Sequence, residues 1–198
     1  TSDRASGAQV IDGSLKFDED VPTYLKKTFS STGNRNVWTW SGWVKIDPRG
    51  DNQICLFSAY TATNNAGYGM LWFNSDGGTL NFHGWDGGSD AATSDAKFRD
   101  NGWYHVVARH DESASPKMRL YVNGELLSLE SNLGTSTGIG RNIEHRIGYE
   151  VYNNRKPFEG SMSQVYFVDG QSLGPEYFGY TDGLTNTWKP KKYVNTTA

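Results

Sequence analysis

Short stretches of alternating apolar and polar residues run along most of this chain, and each is typical of a β-strand with one buried face. The clearest stretch is Val37–Ile46. One of its faces carries Trp38, Trp40, Gly42, Val44 and Ile46, and the other carries Thr39, Ser41, Trp43 and Lys45. Met118–Val122 alternates in the same way, with Met118, Leu120 and Val122 on one face. We therefore expect these apolar faces to form the core.

Turn sequences separate the predicted strands at short intervals. Residues 70–74 and 79–83 flank Asp76-Gly77-Gly78, which is the pattern of a hairpin, and Asn123-Gly124 marks a second one. Residues 84–95 are rich in Gly, Asp and Ser and predict a loop. About a dozen short strands between turns indicate an all-β fold, an antiparallel β-sandwich. We expect one domain over residues 1–198, with a lead-in at 1–9 and an extended tail at 187–198.

A predicted strand near the end of the chain is apolar on both faces. Val165 and Phe167 lie on one face, and Met162, Tyr166 and Val168 lie on the other. Because such a strand must be covered on both sides, we expect it inside the sandwich and not at an edge. An Asp169-Gly170 turn and a single helical turn follow it before the tail.

Composition narrows the classes of function. Aromatic residues make up 14% of the 198 residues and there are 23 glycines, which suits short strands joined by tight turns. The net charge is −3, and basic residues cluster only at Lys189, Lys191 and Lys192, so we expect no nucleic acid partner. No run approaches the ~20 apolar residues of a membrane span, and no secretory leader is visible, so we expect no membrane insertion.

The chain has one cysteine, Cys55, which lies between apolar neighbours. A single cysteine cannot form an internal disulfide, so we expect a buried, unreactive thiol and a fold stabilised by its core alone. Such a fold suits folding in a reducing cytoplasm.

Several motifs, in order along the chain, resemble a known family. Residues 103–108, Trp-Tyr-His-Val-Val-Ala, and 118–126, Met-Arg-Leu-Tyr-Val-Asn-Gly-Glu-Leu, resemble the central strands of laminin-G-like domains, which are concanavalin A-like jelly rolls. Residues 24–29, 33–45 and 158–193 are similar to a narrower group, found in tail-fibre and other structural proteins of marine and cyanobacterial phages. The resemblance covers about residues 10–193 and implies two antiparallel sheets around a packed core.

The resemblance implies a non-catalytic structural or attachment module of a phage particle, exposed on a fibre or on the capsid surface. Its partners would be other virion proteins and host surface glycans. We expect it to fold in the host cytoplasm and to be oligomeric in the particle. The alternative is a secreted or cell-surface lectin or adhesion module that binds carbohydrate. A jelly roll hosts many roles, so the fold does not separate scaffold from lectin.

Glycan hydrolysis requires two carboxylates that flank the sugar bond, about 5 to 9 Å apart. The β-glucanase relatives of this family place them on one strand, in a pattern of Glu, an apolar residue, Asp and a further Glu that this chain lacks. Asp18-Glu19-Asp20 is consecutive, so its side chains alternate in direction, and Glu144 and Glu150 do not form the pattern. The histidines at 83, 105, 110 and 145 show no metal-ligand spacing. We therefore expect no enzymatic activity and no catalytic residue.

Sugar binding needs aromatic rings, which cover the apolar C–H face of a pyranose, beside polar side chains that satisfy its hydroxyls. Three loops have this composition, at residues 60–68, 83–86 and 149–155. The candidate residues are Tyr60, Asn64, Asn65, Trp85, Asp86, Tyr152 and Asn153. The alternative for each loop is that the ring packs on the sheet and the polar residues make turns.

A Ca²⁺ site is a further hypothesis for the polar stretch at residues 84–95. Several relatives of this family hold Ca²⁺, and carboxylate oxygens on loops are ligands that this ion prefers. The candidate ligands are Asp86, Asp90 and Asp95. The alternative is that these Gly/Asp-rich residues only turn the chain.

Overall fold

The computed structural model describes residues 12–48, 52–61, 67–75, 78–85, 89–99, 101–131 and 138–195, and for residues 85, 89–91, 130 and 131 it describes the backbone alone. Fifteen strands and one 3₁₀ turn make up its regular structure. The strands are β1 Leu15–Phe17, β2 Leu25–Thr28, β3 Val37–Ile46, β4 Ile54–Ala59, β5 Tyr68–Phe73, β6 Thr79–Trp85, β7 Ser89–Lys97, β8 Trp103–Asp111, β9 Met118–Val122, β10 Glu125–Leu126, β11 Leu129–Ser131, β12 Glu144–Ile147, β13 Gly160–Asp169, β14 Gly179–Thr181 and β15 Trp188–Pro190.

Thirteen of these strands form two large antiparallel sheets. Sheet I has the order β1-β13-β3-β8-β9-β10, and sheet II has the order β11-β7-β6-β5-β4-β12-β2. Apolar side chains from both sheets pack between them as one cluster. The predicted all-β class and antiparallel sandwich are confirmed.

Strand β3 supplies the centre of the core. Trp38, Trp40, Val44 and Ile46 are fully buried, as their alternation predicts. The ring of Trp38 lies 5.3 Å from that of Phe82 in sheet II, which joins the two sheets. Full burial of each large apolar side chain is worth about 1.5–3 kcal/mol, so this strand is a main source of stability.

The predicted facing of β13 is correct except at Met162. Val165 and Phe167 contact the core between the sheets, and Tyr166 and Val168 face the opposite side. Met162, predicted on the side of Tyr166 and Val168, is instead buried in the main core. The register of β13 against β3 shifts between Ser163 and Tyr166, and Gln164 has a φ of 51°. This β-bulge adds one residue and therefore reverses the faces on its two sides.

A second apolar cluster covers the outer face of sheet I, and we call it the closing cluster. It consists of Val107, Tyr121, Val168, Leu173 and Phe178, with Tyr166 and Tyr193 packed against it. The predicted helical turn is present at Pro175–Tyr177. The tail, predicted as merely extended, pairs as β15 with β14. The prediction that β13 is covered on both faces is confirmed. Along its edges, β13 pairs with β3 over most of its length, whereas only its first three residues also pair with β1.

Buried His105 attaches the tail to sheet I. Its Nδ1 accepts a hydrogen bond of 2.9 Å from Nε1 of Trp188, so its Nε2 carries the proton and donates to Oγ of Ser41 at 2.9 Å. Burial lowers the pKa of His105 to about 3, so this ring is neutral near pH 7. Gly179 leaves room for the indole, because a Cβ there would come within 2.4 Å of Trp188.

Strand β7 corrects the prediction of a loop at residues 84–95. Ser89–Lys97 pairs with β6 on one side and with β11 on the other. Six of its nine residues are Ala, Asp or Lys, which are depleted in strands. Hydrogen bonds to both neighbouring strands, together with full burial of Ala92, outweigh that preference.

Cys55 is buried, as predicted, and burial raises the pKa of its thiol to about 12, so it is protonated and unreactive near pH 7. Within the described part of the chain, no helix is both long and apolar enough to cross a membrane.

Candidate functional site

The β12–β13 loop, residues 148–159, folds back onto strand β4 of sheet II. Oγ of Ser58 donates to the carbonyl of Tyr149 at 2.7 Å and accepts from the amide of Val151 at 3.2 Å. The amide of Cys55 donates to the carbonyl of Lys156 at 3.0 Å. These bonds hold both ends of the residue 149–156 segment against the sheet, so its side chains have defined positions.

Three tyrosines converge where this loop meets sheet II. Tyr60 follows β4, Tyr68 begins β5 and Tyr152 lies in the β12–β13 loop. The ring centroid of Tyr152 lies 4.6 Å from that of Tyr60 and 5.9 Å from that of Tyr68, both in edge-on geometry. His83 of β6 packs edge-on against Tyr68 at 5.3 Å. We call Tyr60, Tyr68 and Tyr152 the tyrosine cluster.

A buried carboxylate lies beneath this cluster. Glu150 is 1% exposed, and its Oε1 accepts from the hydroxyl of Tyr68 and from Nζ of Lys156, both at 3.0 Å. Its Oε2 accepts from Nε of Arg155 at 3.0 Å. Burial and the adjacent Glu150 charge raise the pKa of Tyr68, so its hydroxyl stays protonated and donates. Three donors therefore compensate the cost of burying this charge.

The tyrosine cluster and the charged residues enclose an open cleft of about 290 Å³. Its lining consists of Tyr60, Tyr68, His83, Glu150, Tyr152, Arg155 and Lys156. Tyr152 is 49% exposed, so part of its ring is available to a ligand. Aromatic surface beside N–H and O–H donors suits a ligand that has apolar C–H faces and oxygen acceptors.

All three predicted sugar-binding loops contribute lining residues to this cleft, and the loop at 83–86 does so through His83. Tyr60 and Tyr152 are in contact, and Asn153 is exposed next to Tyr152. The backbone of Trp85 pairs with that of Tyr68 across the β5–β6 ladder. The candidates Asn64, Asn65 and Asp86 lie outside the described residues. The assignment of these residues to sugar binding stays a prediction.

The sequence reasoning missed five lining residues, namely Tyr68, His83, Glu150, Arg155 and Lys156. Tyr68, His83 and Arg155 lie at the ends of the three candidate loops, so their position next to the other candidates could have identified them as lining residues. In the sequence, Glu150 stands out only as a carboxylate that does not fit the hydrolase pattern. Its two basic partners, five and six residues later, were the available indication of an ion-pair network.

The predicted Ca²⁺ ligands do not all come together. Asp90 and Asp95 are five residues apart on strand β7, which separates their backbones by about 16 Å. Asp95 is exposed, and Asp86 lies outside the described residues. Among the described residues, no group of three or more His, Cys, Asp or Glu side chains is arranged to hold a metal ion. Ca²⁺ binding near Asp86 and Asp90 stays a prediction.

His145 has a structural role at the edge of the core. Its Nδ1 donates to the carbonyl of Ile143 at 2.9 Å, and its Nε2 accepts from the amide of Gly140 at 3.1 Å. Burial lowers its pKa to about 4, so the ring is neutral near pH 7. Its two hydrogen bonds link the backbone at Gly140 to the backbone at Ile143.

Residues 20–176 match a family model, Laminin_G_3, described as the concanavalin A-like lectin/glucanases superfamily. No curated protein matches the sequence.

Solved structures with this fold include proteins of different kinds. A native heptameric SAP-like pentraxin from Limulus polyphemus is 20% identical, with a TM-score of 0.58 over 81% of this chain and 76% of that one. The CBM40 module of the Ruminococcus gnavus IT-sialidase is 16% identical, with a TM-score of 0.62 over 84% of this chain and 95% of the module. Full-length tailspike protein 2 of the Escherichia coli O157:H7 bacteriophage CAB120 is 10% identical, with a TM-score of 0.58 over 83% of this chain and 23% of that one. These low identities show a shared fold alone.

Proposed function

We propose that this chain, which belongs to the laminin G-like family of the concanavalin A-like lectin/glucanases superfamily, is a non-catalytic module that binds carbohydrate in the cleft beside the tyrosine cluster. The observation that carries the proposal is the contact of Tyr60 and Tyr152 at 4.6 Å above a cleft with several hydrogen-bond donors. Two loops that are remote in sequence supply these two rings. The Ruminococcus gnavus CBM40 module, which has this fold, has been determined with sialyllactose bound.

The dimensions of the cleft suit a small part of a glycan. Its volume of about 290 Å³ lies at the lower end of the range for small-molecule sites. A terminal sugar or a single internal residue of a chain would place one ring face on Tyr152, and donors on the cleft wall would reach its hydroxyls. Binding without catalysis agrees with the environment of Glu150, because this carboxylate is 1% exposed and already holds three donors.

A glycan array followed by calorimetric titration tests the proposal, with Tyr152→Ala as the variant. Tyr177, which is 38% exposed on the 3₁₀ turn, provides the matched control Tyr177→Ala. We expect the Tyr152 variant to lose about 10-fold in affinity or more, because covering one aromatic ring with the apolar face of a sugar buries apolar surface worth about 1.5 kcal/mol. Equal affinity of the two variants would remove the tyrosine cluster from the binding site.

The further part of the proposal is that the module belongs to a phage particle, joined to other virion proteins and oligomeric there, with host surface glycans as the ligand. Two observations support it: the resemblance of residues 158–193 to phage structural proteins, and the occurrence of the fold in a phage tailspike. Antibody labelling of intact particles is the test, and we expect label on a fibre or on the capsid. Label found only on host cells would favour the alternative, a secreted or cell-surface lectin.

A further inference from the structure

We propose that the cleft selects sugars that carry a carboxylate, and that Arg155 is the residue that contacts this group. The inference rests on the proposed function and names the ligand class of the same site. It follows from three features of the cleft: the charge of its lining, the way Arg155 is held, and the burial of Glu150.

The described lining has a net positive charge. Arg155 and Lys156 contribute two positive charges, and Glu150 contributes one negative charge. This sign is opposite to that of the whole chain, whose net charge is −3. A local excess of positive charge in a partly enclosed, aromatic cleft favours an anionic ligand.

Arg155 is held in a way that leaves part of its guanidinium available. Its Nε donates to Oε2 of Glu150 at 3.0 Å, whereas its side chain is 60% exposed. Among the residues that the structure describes, neither terminal nitrogen of Arg155 has a hydrogen-bond partner. These two nitrogens form the edge that binds a carboxylate in a bidentate manner. Because Glu150 already anchors the group, less side-chain entropy is lost when the sugar binds.

Glu150 holds both cations in place but does not present its own oxygens to the cleft. At 1% exposure it offers a ligand almost no acceptor surface. Lys156, whose side chain is 13% exposed, and the hydroxyl of Tyr68 already satisfy its Oε1. The guanidinium of Arg155 is therefore the most accessible charged group of the described lining, and a carboxylate on the sugar complements it.

The alternative is that Arg155 serves only as a counter-ion for Glu150. The two readings differ in ligand preference, so the experiment uses pairs of oligosaccharides that differ only at C6. Glucose chains are compared with glucuronic acid chains, and galactose chains with galacturonic acid chains of equal length, by calorimetric titration. The variant is Arg155→Gln, and Arg99→Gln, at an exposed position outside the cleft lining, removes the same charge as a control.

We expect the acidic member of at least one pair to bind about 10-fold more tightly or better, because a hydrogen bond to a charged group is worth about 1.5–3 kcal/mol. We expect Arg155→Gln to abolish this preference and to leave the affinity for the neutral member unchanged. Tyr152→Ala should still weaken binding of the neutral member. The Arg99 control should keep the preference, and added salt should weaken acidic binding alone.

Three results would overturn the inference. Equal affinity for both members of every pair, with Tyr152 still required, would leave the proposed function standing and remove the carboxylate preference. A preference for the acidic member that Arg155→Gln leaves unchanged would contradict the assignment of the carboxylate contact to Arg155. Binding of no sugar, neutral or acidic, would overturn the inference and the proposed function together.

Discussion

Glu150→Gln tests whether the buried ion-pair network organises the cleft. The substitution keeps the shape of the side chain and removes the charge that Arg155 and Lys156 neutralise. Removing one partner of a buried ion pair costs about 3–5 kcal/mol, since the other charge is left uncompensated. Here the cost is smaller, because the Arg155 side chain is 60% exposed and water can solvate it. We therefore expect a loss of about 2–3 kcal/mol, most of it from Lys156, whose side chain is 13% exposed.

Thermal and urea unfolding at pH 7 measure this loss. For a chain of 198 residues, each kcal/mol lowers Tm by about 2–4 °C, so the expected shift is about 4–12 °C. Glu125→Gln, at an exposed position on β10, is the control and should change the stability by less than about 0.5 kcal/mol. Adding Lys156→Met to Glu150→Gln should restore part of the stability, because it removes the unpaired ammonium group.

If Glu150→Gln unfolded within about 1 °C of the Glu125 control, the network would contribute little and the reasoning would be refuted. The same outcome would weaken the account of Arg155 as a group that Glu150 positions.

Two further predictions concern the histidines. Trp188→Phe should cost about 1–3 kcal/mol in urea unfolding, because it leaves Nδ1 of buried His105 without its donor. Trp103→Phe, at a position that is 41% exposed, is the control, and an equal loss in both variants would refute the assignment. Burial lowers the pKa of His105 to about 3 and that of His145 to about 4 in the folded state, whereas both have a pKa near 6.5 in the unfolded chain. Between about pH 6 and 4.5, therefore, only the unfolded state takes up these protons. As the pH falls through this range, the free energy of unfolding should decrease by about 1.4 kcal/mol per pH unit for each histidine. His145→Gln should lower this slope by about the same amount, and an unchanged slope would contradict the prediction.

The closing segment shows how far a local pattern predicts a fold. Its double apolar character predicted that β13 is covered on both faces, and the closing cluster is the second cover. The pattern did not predict the bulge at Gln164, because alternation assumes an uninterrupted register. It therefore put Met162 on the wrong face. The pairing of β15 with β14 was missed as well, since a three-residue strand has too few positions to show a period.

The sequence predicted some residues of the candidate site, but it did not predict which of them are in contact. Composition singled out the loops that contain Tyr60 and Tyr152 because aromatic rings among polar residues suit a sugar. It contained no information that these two residues, 92 positions apart, are in contact at 4.6 Å. Nor did it identify Glu150 as the group that holds Arg155 and Lys156 in place.

By itself, the sequence determined the all-β class, the hairpins, the buried face of β3 and the buried thiol of Cys55. These follow from period-two alternation, turn residues and the burial of large apolar groups, which act over a few neighbouring positions. Only the tertiary structure decided that Ser89–Lys97 is a strand, on which side Met162 is buried, and that the tyrosine cluster borders a cleft. Each of these depends on hydrogen bonds or packing between segments that are distant in the chain, and the energy of such contacts outweighs local preference.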